Sequence, residues 1–242
     1  MSPALAGLRR SLRIYRDEAH HRSLVAFLPE VAPGARLVFD VGAHAGDRVR
    51  AFRELGARVV ALEPQRVMHR ALRLMHGRDK GVTLIRACAG PATGAARLRV
   101  NTANPTVSTL SEGFADAAAG AAGWEGQVWD AAEEVAVTTL DALVATHGMP
   151  DFVKIDVEGY EAEVLAGLSA PPPRLSFEIV TMARAPGLEA LARAAALGYG
   201  RFRLTLGESH RWATGWLDAG EMANALRDLP KAANSGDIVA AR

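Results

Sequence analysis

Asp40-Val41-Gly42-Ala43-His44-Ala45-Gly46-Asp47 is the stretch on which the fold turns. The apolar run Arg36–Val41 leads into it and the helical pattern Val49–Leu55 leads out, so both glycines belong to a strand-to-helix turn. Gly42 permits a tight turn with unusual φ, and Gly46 lets backbone come close to a ligand at a helix N-terminus. Such a turn binds nucleotides. The dinucleotide fingerprint is G-x-G-x-x-G, whereas this turn has only G-x-x-x-G, which disfavours a nicotinamide oxidoreductase.

The pattern repeats outward from there. Short apolar runs at Arg58–Leu62 and Val82–Ala87 alternate with helical stretches such as Val67–Met75, as in a βαβ fold whose parallel sheet is covered on both faces. Further strands are expected at Phe152–Val157, Arg174–Val180, Arg201–Leu206 and Asp237–Ala241, with helices at Glu161–Leu168 and Leu188–Leu197. Ala96–Asn101 and Glu134–Thr138 read as accessory strands. The expected fold is α/β: a doubly wound, mostly parallel, seven-stranded Rossmann-like sheet with helices on both faces and a small accessory strand pair. Residues 34–242 form its domain and residues 1–33 a helical extension, in which Leu5–Leu28 reads as one or two amphipathic helices.

Two sets of acids fall at strand ends, where open α/β sheets bind ligands. Glu63 closes the second strand about 20 positions beyond Asp40, where an acid accepts hydrogen bonds from a ribose diol. The other reading is a helix-starting acid placed for the macrodipole, with Pro64 in the first turn. Lys154-Ile155-Asp156-Val157-Glu158-Gly159-Tyr160-Glu161 ends a central strand, and Asp156 and Glu158 share a face if that strand continues through them.

In these strings the sequence resembles the FkbM family of methyltransferases. D-V-G-A-N-x-G appears as Asp40 to Gly46 with His44 in place of Asn, E-P as Glu63-Pro64, T-L-D as Thr139-Leu140-Asp141, K-I-D-V-E-G-x-E as Lys154 to Glu161, and a strand-ending Glu as Phe177-Glu178. The resemblance spans roughly Val38 to Val180. It implies S-adenosylmethionine as cofactor and methylation of a hydroxyl on a sugar or secondary metabolite. The cofactor residues expected are Asp40, Gly42, Ala43, His44, Gly46, Glu63 and Asp156, and the catalytic candidates are Asp156, Glu158 and Glu178. A sulfonium cofactor has no pyrophosphate, so the missing third glycine matters less. Asp156, the first candidate for the base, has the alternative role of organising the strand-to-helix turn. The three acids are hard oxygen donors, but no spacing fixes them as a coordination set, and no metal is expected.

Composition narrows the partners. Twenty-eight Lys and Arg against 27 Asp and Glu leave no large positive field, which argues against a nucleic-acid substrate; the small hydroxylated acceptor is what the resemblance implies. One cysteine, Cys88, makes no intramolecular disulfide, and no apolar run approaches the roughly 18 residues of a membrane span. With arginines and acids interrupting the N-terminal segment, a cytoplasmic location is expected. Thr102 to Ala132 is too long for a plain connection and reads as a mobile substrate loop or a locally disordered insertion. Ser108, Thr109, Trp124, Trp129, Trp212, Trp216 and His210 are either acceptor walls or ordinary packing and surface residues. A cofactor-binding or regulatory protein without catalysis is the alternative function.

Overall fold

The computed structural model describes residues 3–242, so the first two residues of the 1–33 extension lie outside the described part. Ten strands follow in chain order: β1 (Leu37–Val41), β2 (Arg58–Leu62), β3 (Val82–Ile85), β4 (Ala87–Ala89), β5 (Gly94–Val100), β6 (Ala131–Thr138), β7 (Phe152–Ile155), β8 (Arg174–Val180), β9 (Arg201–Leu206) and β10 (Ser235–Ala241). The main sheet has the order β3-β2-β1-β7-β8-β10-β9, and only β10 runs against its neighbours. The chain winds from β1 outward to β3, then restarts at β7 on the other side of β1, so a crevice opens at the carboxyl ends of β1 and β7.

Side-chain alternation covers both faces of this sheet. Val38, Val59, Ala61 and Phe152 pack under the helices Glu18–Val31 and Asp47–Glu54, while Phe39, Val60, Leu62, Val153 and Ile155 pack against the helices Leu140–His147, Glu161–Ala166 and Arg184–Ala196.

Three expectations change in detail. The run Val82–Ala87 breaks at Arg86, and its second half becomes β4, which pairs with β6; the accessory pair is thus a three-stranded sheet, β4-β6-β5. β7 ends at Ile155, because Glu158 and Gly159 take positive φ and turn the backbone out of the sheet. The long segment after β5 is folded, with a short helix, Glu112–Ala118, and a small core of Val107, Phe114, Ala118 and Trp124 closed against Val180.

The N-terminal segment is two helices, Pro3–Tyr15 and Glu18–Val31. Asp17 separates them: its extended backbone stops the first, and its carboxylate caps the second by accepting from the Ala19 and His20 N–H groups. Among the described residues no helix is long and apolar enough to cross a membrane.

Candidate functional site

A cavity of about 490 Å³ occupies the crevice. Asp40, Gly42, Ala43, His44, Glu63, Asp156, Glu158 and Glu178 all line it, so residues from four strand ends meet in one place. Gly46 does not. A Cβ there would stand 2.6 Å from Leu72 Cδ2 and 3.2 Å from His76 Nε2, so this glycine makes room for the helix Arg66–His76.

Gly42 is required twice over. Its φ is +89°, and a Cβ would fall 1.8 Å from the Asp156 carbonyl oxygen. The turn after β1 therefore lies directly on the turn after β7. Glu63, buried beside them, accepts from the His44 N–H at 2.9 Å and from the Gln65 N–H at 2.8 Å. The second bond is the helix-starting role, and the first ties Glu63 to the glycine turn. Burial pushes its carboxyl up to about 7 despite those donors.

A row of polar groups crosses one face of the sheet at this end. Asp40 on β1 is in register with Lys154 on β7, and Glu178 on β8 with Asp237 on β10. Lys154 bridges the row: its Nζ pairs with Asp237 and lies 3.3 Å from Asp156 Oδ2. Arg48 extends it, reaching Asp47 at 3.2 Å and Asp237 at 3.4 Å. Asp40 is the exception. It is almost fully buried, its Oδ2 has no hydrogen-bond partner, and burial pushes its carboxyl up to about 7.

Asp156, Glu158 and Glu178 bring carboxylate oxygens within 4.8 Å of one another. Three such groups in one crevice do not all ionise, and their surroundings set them apart. Burial works to raise Asp156, but Lys154 and Arg48 outweigh it and hold that carboxyl below its ordinary range. Burial and the Asp156 charge push both Glu158 and Glu178 well above theirs. The cluster thus sets one carboxyl whose ionisation is favoured beside two whose ionisation is opposed. Glu158 reaches it from a left-handed backbone, φ 56°, a conformation few side chains favour outside Asn, Asp and His. Two neighbours hold that turn: Thr109 Oγ1 donates to the Glu158 carbonyl at 2.7 Å, and Glu161 Oε1 accepts from the Val157 and Gly159 N–H groups at 3.1 and 3.2 Å.

His44 also has positive φ, 44°, which explains why His stands where the pattern has Asn: both tolerate the left-handed region. Its ring does what Asn cannot. Nε2 hydrogen-bonds with Ser11 Oγ at 3.0 Å, and the ring meets Tyr15 edge-on at 5.1 Å, docking the helix Pro3–Tyr15 on the cavity. Burial pushes the imidazole down to about 4, so it is neutral.

Other parts of the site are absent from the motifs. Arg10, Ile14 and Tyr15 of the first helix line the cavity, as do Asn104, Ser108, Thr109, Trp124 and Gln127 of the long segment. The amphipathic pattern marked that first helix without showing where it docks. Trp212 and Trp216 lie elsewhere: Arg203 stacks over the first at 4.2 Å and Arg201 over the second at 5.0 Å. Thr139-Leu140-Asp141 is structural, since Thr139 caps a helix by accepting from Ala142 N–H and Asp141 accepts from Ser169.

An open parallel sheet, a glycine turn after β1, an acid after β2 and acids after β7 and β8 define a Rossmann-like fold with a nucleotide-type cofactor crevice at its switch point. The family model of the methyltransferase FkbM domain matches residues 40–186, and the chain belongs to that family. No curated protein sequence matches it. Among solved structures it is similar to magnesium protoporphyrin IX methyltransferase from Synechocystis PCC 6803 with bound SAM: 12% identity, 97% of this chain and 83% of that one covered, TM-score 0.48. It is similar also to the O-methyltransferase from Bacillus cereus in complex with SAH, at 11% identity over 98% and 90% of the two chains, TM-score 0.47. A third is precorrin-6y C5,15-methyltransferase from Geobacter metallireducens GS-15, at 14% identity over 90% and 87%, TM-score 0.47.

S-adenosylmethionine is the cofactor that family membership assigns, and the residues fit it. The orphaned carboxylate oxygen of Asp40 suits an ammonium donor and the Glu63 carboxylate suits a ribose diol, and both line the cavity.

Proposed function

We propose that this protein is an O-methyltransferase that uses Asp156 to accept the proton of an acceptor hydroxyl on a sugar or similar small metabolite. The single observation that carries the reading is the geometry of Asp156, which stands on the wall of the cavity 3.3 Å from Lys154 Nζ and beside the carboxyl groups of Glu158 and Glu178. S-adenosylmethionine, when bound, supplies a methyl group on a sulfonium already activated for displacement. Asp40, Gly42, Ala43, His44 and Glu63 hold it, and Asp156 takes the proton lost as the acceptor oxygen becomes a nucleophile. Glu158 and Glu178, beside Asp156 on the same wall, orient the acceptor by hydrogen bonding. Lys154 already gives Asp156 a cationic partner, so we assign no metal to these acids.

The near balance of charge and the amide and hydroxyl groups of the long segment support a polar small molecule over nucleic acid. On this reading residues 34–242 form the catalytic domain, residues 1–33 form an extension that closes over it, and the enzyme works in the cytoplasm. Radiolabelled methyl transfer to a panel of hydroxylated sugars and metabolites, with single-stranded RNA in parallel, tests the assignment. Alkali-stable label on a hydroxylated acceptor supports it. Label on RNA alone, or tight cofactor binding with no transfer to any acceptor, overturns it, the latter in favour of a non-catalytic cofactor-binding protein.

A further inference from the structure

A second cluster of ligating side chains stands apart from the three acids. His20 comes from the helix Glu18–Val31, and Glu208 and His210 come from the loop after β9. One ligand atom from each lies within 4.8 Å of the others. The His210 side chain, for which the sequence suggested a surface place or an acceptor contact, is only 7% exposed. Its Nε2 is buried without a hydrogen-bond partner, 3.5 Å from Glu208 Oε2, beyond normal hydrogen-bond length. The ring centroids of His20 and His210 are 4.9 Å apart.

Each imidazole has an outer partner, as metal-bound histidines do. His210 Nδ1 hydrogen-bonds with Ser23 Oγ at 2.9 Å, and an Nδ1–H donated there leaves a lone pair on Nε2. His20 Nε2 lies 3.4 Å from Asp47 Oδ2. The 3.5 Å between His210 Nε2 and Glu208 Oε2 also matches the edge of a tetrahedron whose bonds are roughly 2.0–2.2 Å. Arg48 is the nearby positive charge, and it is already paired with Asp47 and Asp237.

We propose that His20, Glu208 and His210 bind a divalent transition-metal ion of the zinc type, with water in the fourth position. Two imidazoles and one carboxylate suit such ions and not calcium or magnesium. The ion joins the N-terminal helices to the loop after β9. Because Glu208 also lines the cavity, the ion braces one cavity wall.

The test uses the full chain, free of any purification tag and stripped by a chelator. Zinc is titrated calorimetrically, and cobalt is added separately to read its visible spectrum. A one-to-one zinc complex is expected, with a cobalt spectrum of low coordination number. Affinity falls at least about tenfold in His210→Ala and in Glu208→Gln. His20→Gln supplies the same comparison should either of those fail to fold, which metal-free melting by circular dichroism reveals. Failure of the unaltered protein to form a one-to-one complex, or equal affinity in the variants, overturns the site.

Discussion

The imidazole of His44 and the hydroxyl of Ser11 meet at 3.0 Å, 33 residues apart in the chain, and so fasten the first helix to the glycine turn. His44→Asn keeps the backbone geometry, since Asn also tolerates positive φ, and keeps the N–H that Glu63 accepts. It removes the ring's contacts to Ser11 and Tyr15. We expect a loss of about 1–2 kcal/mol in urea unfolding. Faster proteolysis within residues 3–15 should accompany it, with S-adenosylhomocysteine affinity changed little. Unaltered stability and protease resistance would show that the helix is held by its other contacts.

The assignment of Asp156 predicts a variant that binds but does not react. Asp156→Asn preserves size and an acceptor oxygen but cannot take a proton, so kcat should fall by about 10²–10⁴-fold. Calorimetry with S-adenosylhomocysteine should show affinity within a few-fold of the unaltered protein. Normal turnover in this variant would remove Asp156 from the chemistry.

Asp40 and Glu63 both have carboxyls that burial raises to about 7. Their ordinary values lie near 3.8 and 4.5, so the folded apoprotein binds more protons than the unfolded chain between those values and about 7. The stability from these two groups is thus fully present below pH about 4 and is lost as pH rises through about 7. Cofactor binding acts the other way, because an ammonium and a ribose diol favour the ionised carboxylates. Affinity should rise from pH 6 to 8, and titration in buffers of different ionisation enthalpy near pH 6.5 should show net proton release. Asp40→Asn should reduce that release.

Much of this arrangement was legible in the chain. The glycine turn, Glu63 and the Lys154–Glu161 string point to one crevice because strand ends in a parallel sheet converge. Gly46 signals a close approach, and the approach its missing side chain permits is to Leu72 and His76, which no spacing reveals. The length of β7 was overestimated because Val157 looks like a strand residue, and only the positive φ of Glu158 shows that the alternation has stopped. Arg10 and Tyr15 join the site through long-range docking of the first helix, which periodicity does not encode.

Glu161 gives the sharpest separation of positioning from chemistry. One oxygen of its buried side chain accepts from Val157 N–H and Gly159 N–H, so it holds the turn that carries Asp156 and Glu158 to the cavity. Glu161→Ala leaves two backbone donors without an acceptor, at a cost of about 1–3 kcal/mol for each that water does not reach. Because the turn also loses its shape, kcat should fall well beyond what that loss of stability accounts for. Glu161→Gln retains an acceptor oxygen of the same reach and should recover most of the activity, since burial already raises this carboxyl to about 7 and the site does not need its charge. If Gln is as inactive as Ala while both bind S-adenosylhomocysteine normally, the group acts through its charge and the positioning role is wrong. If both are fully active, the turn is held without it.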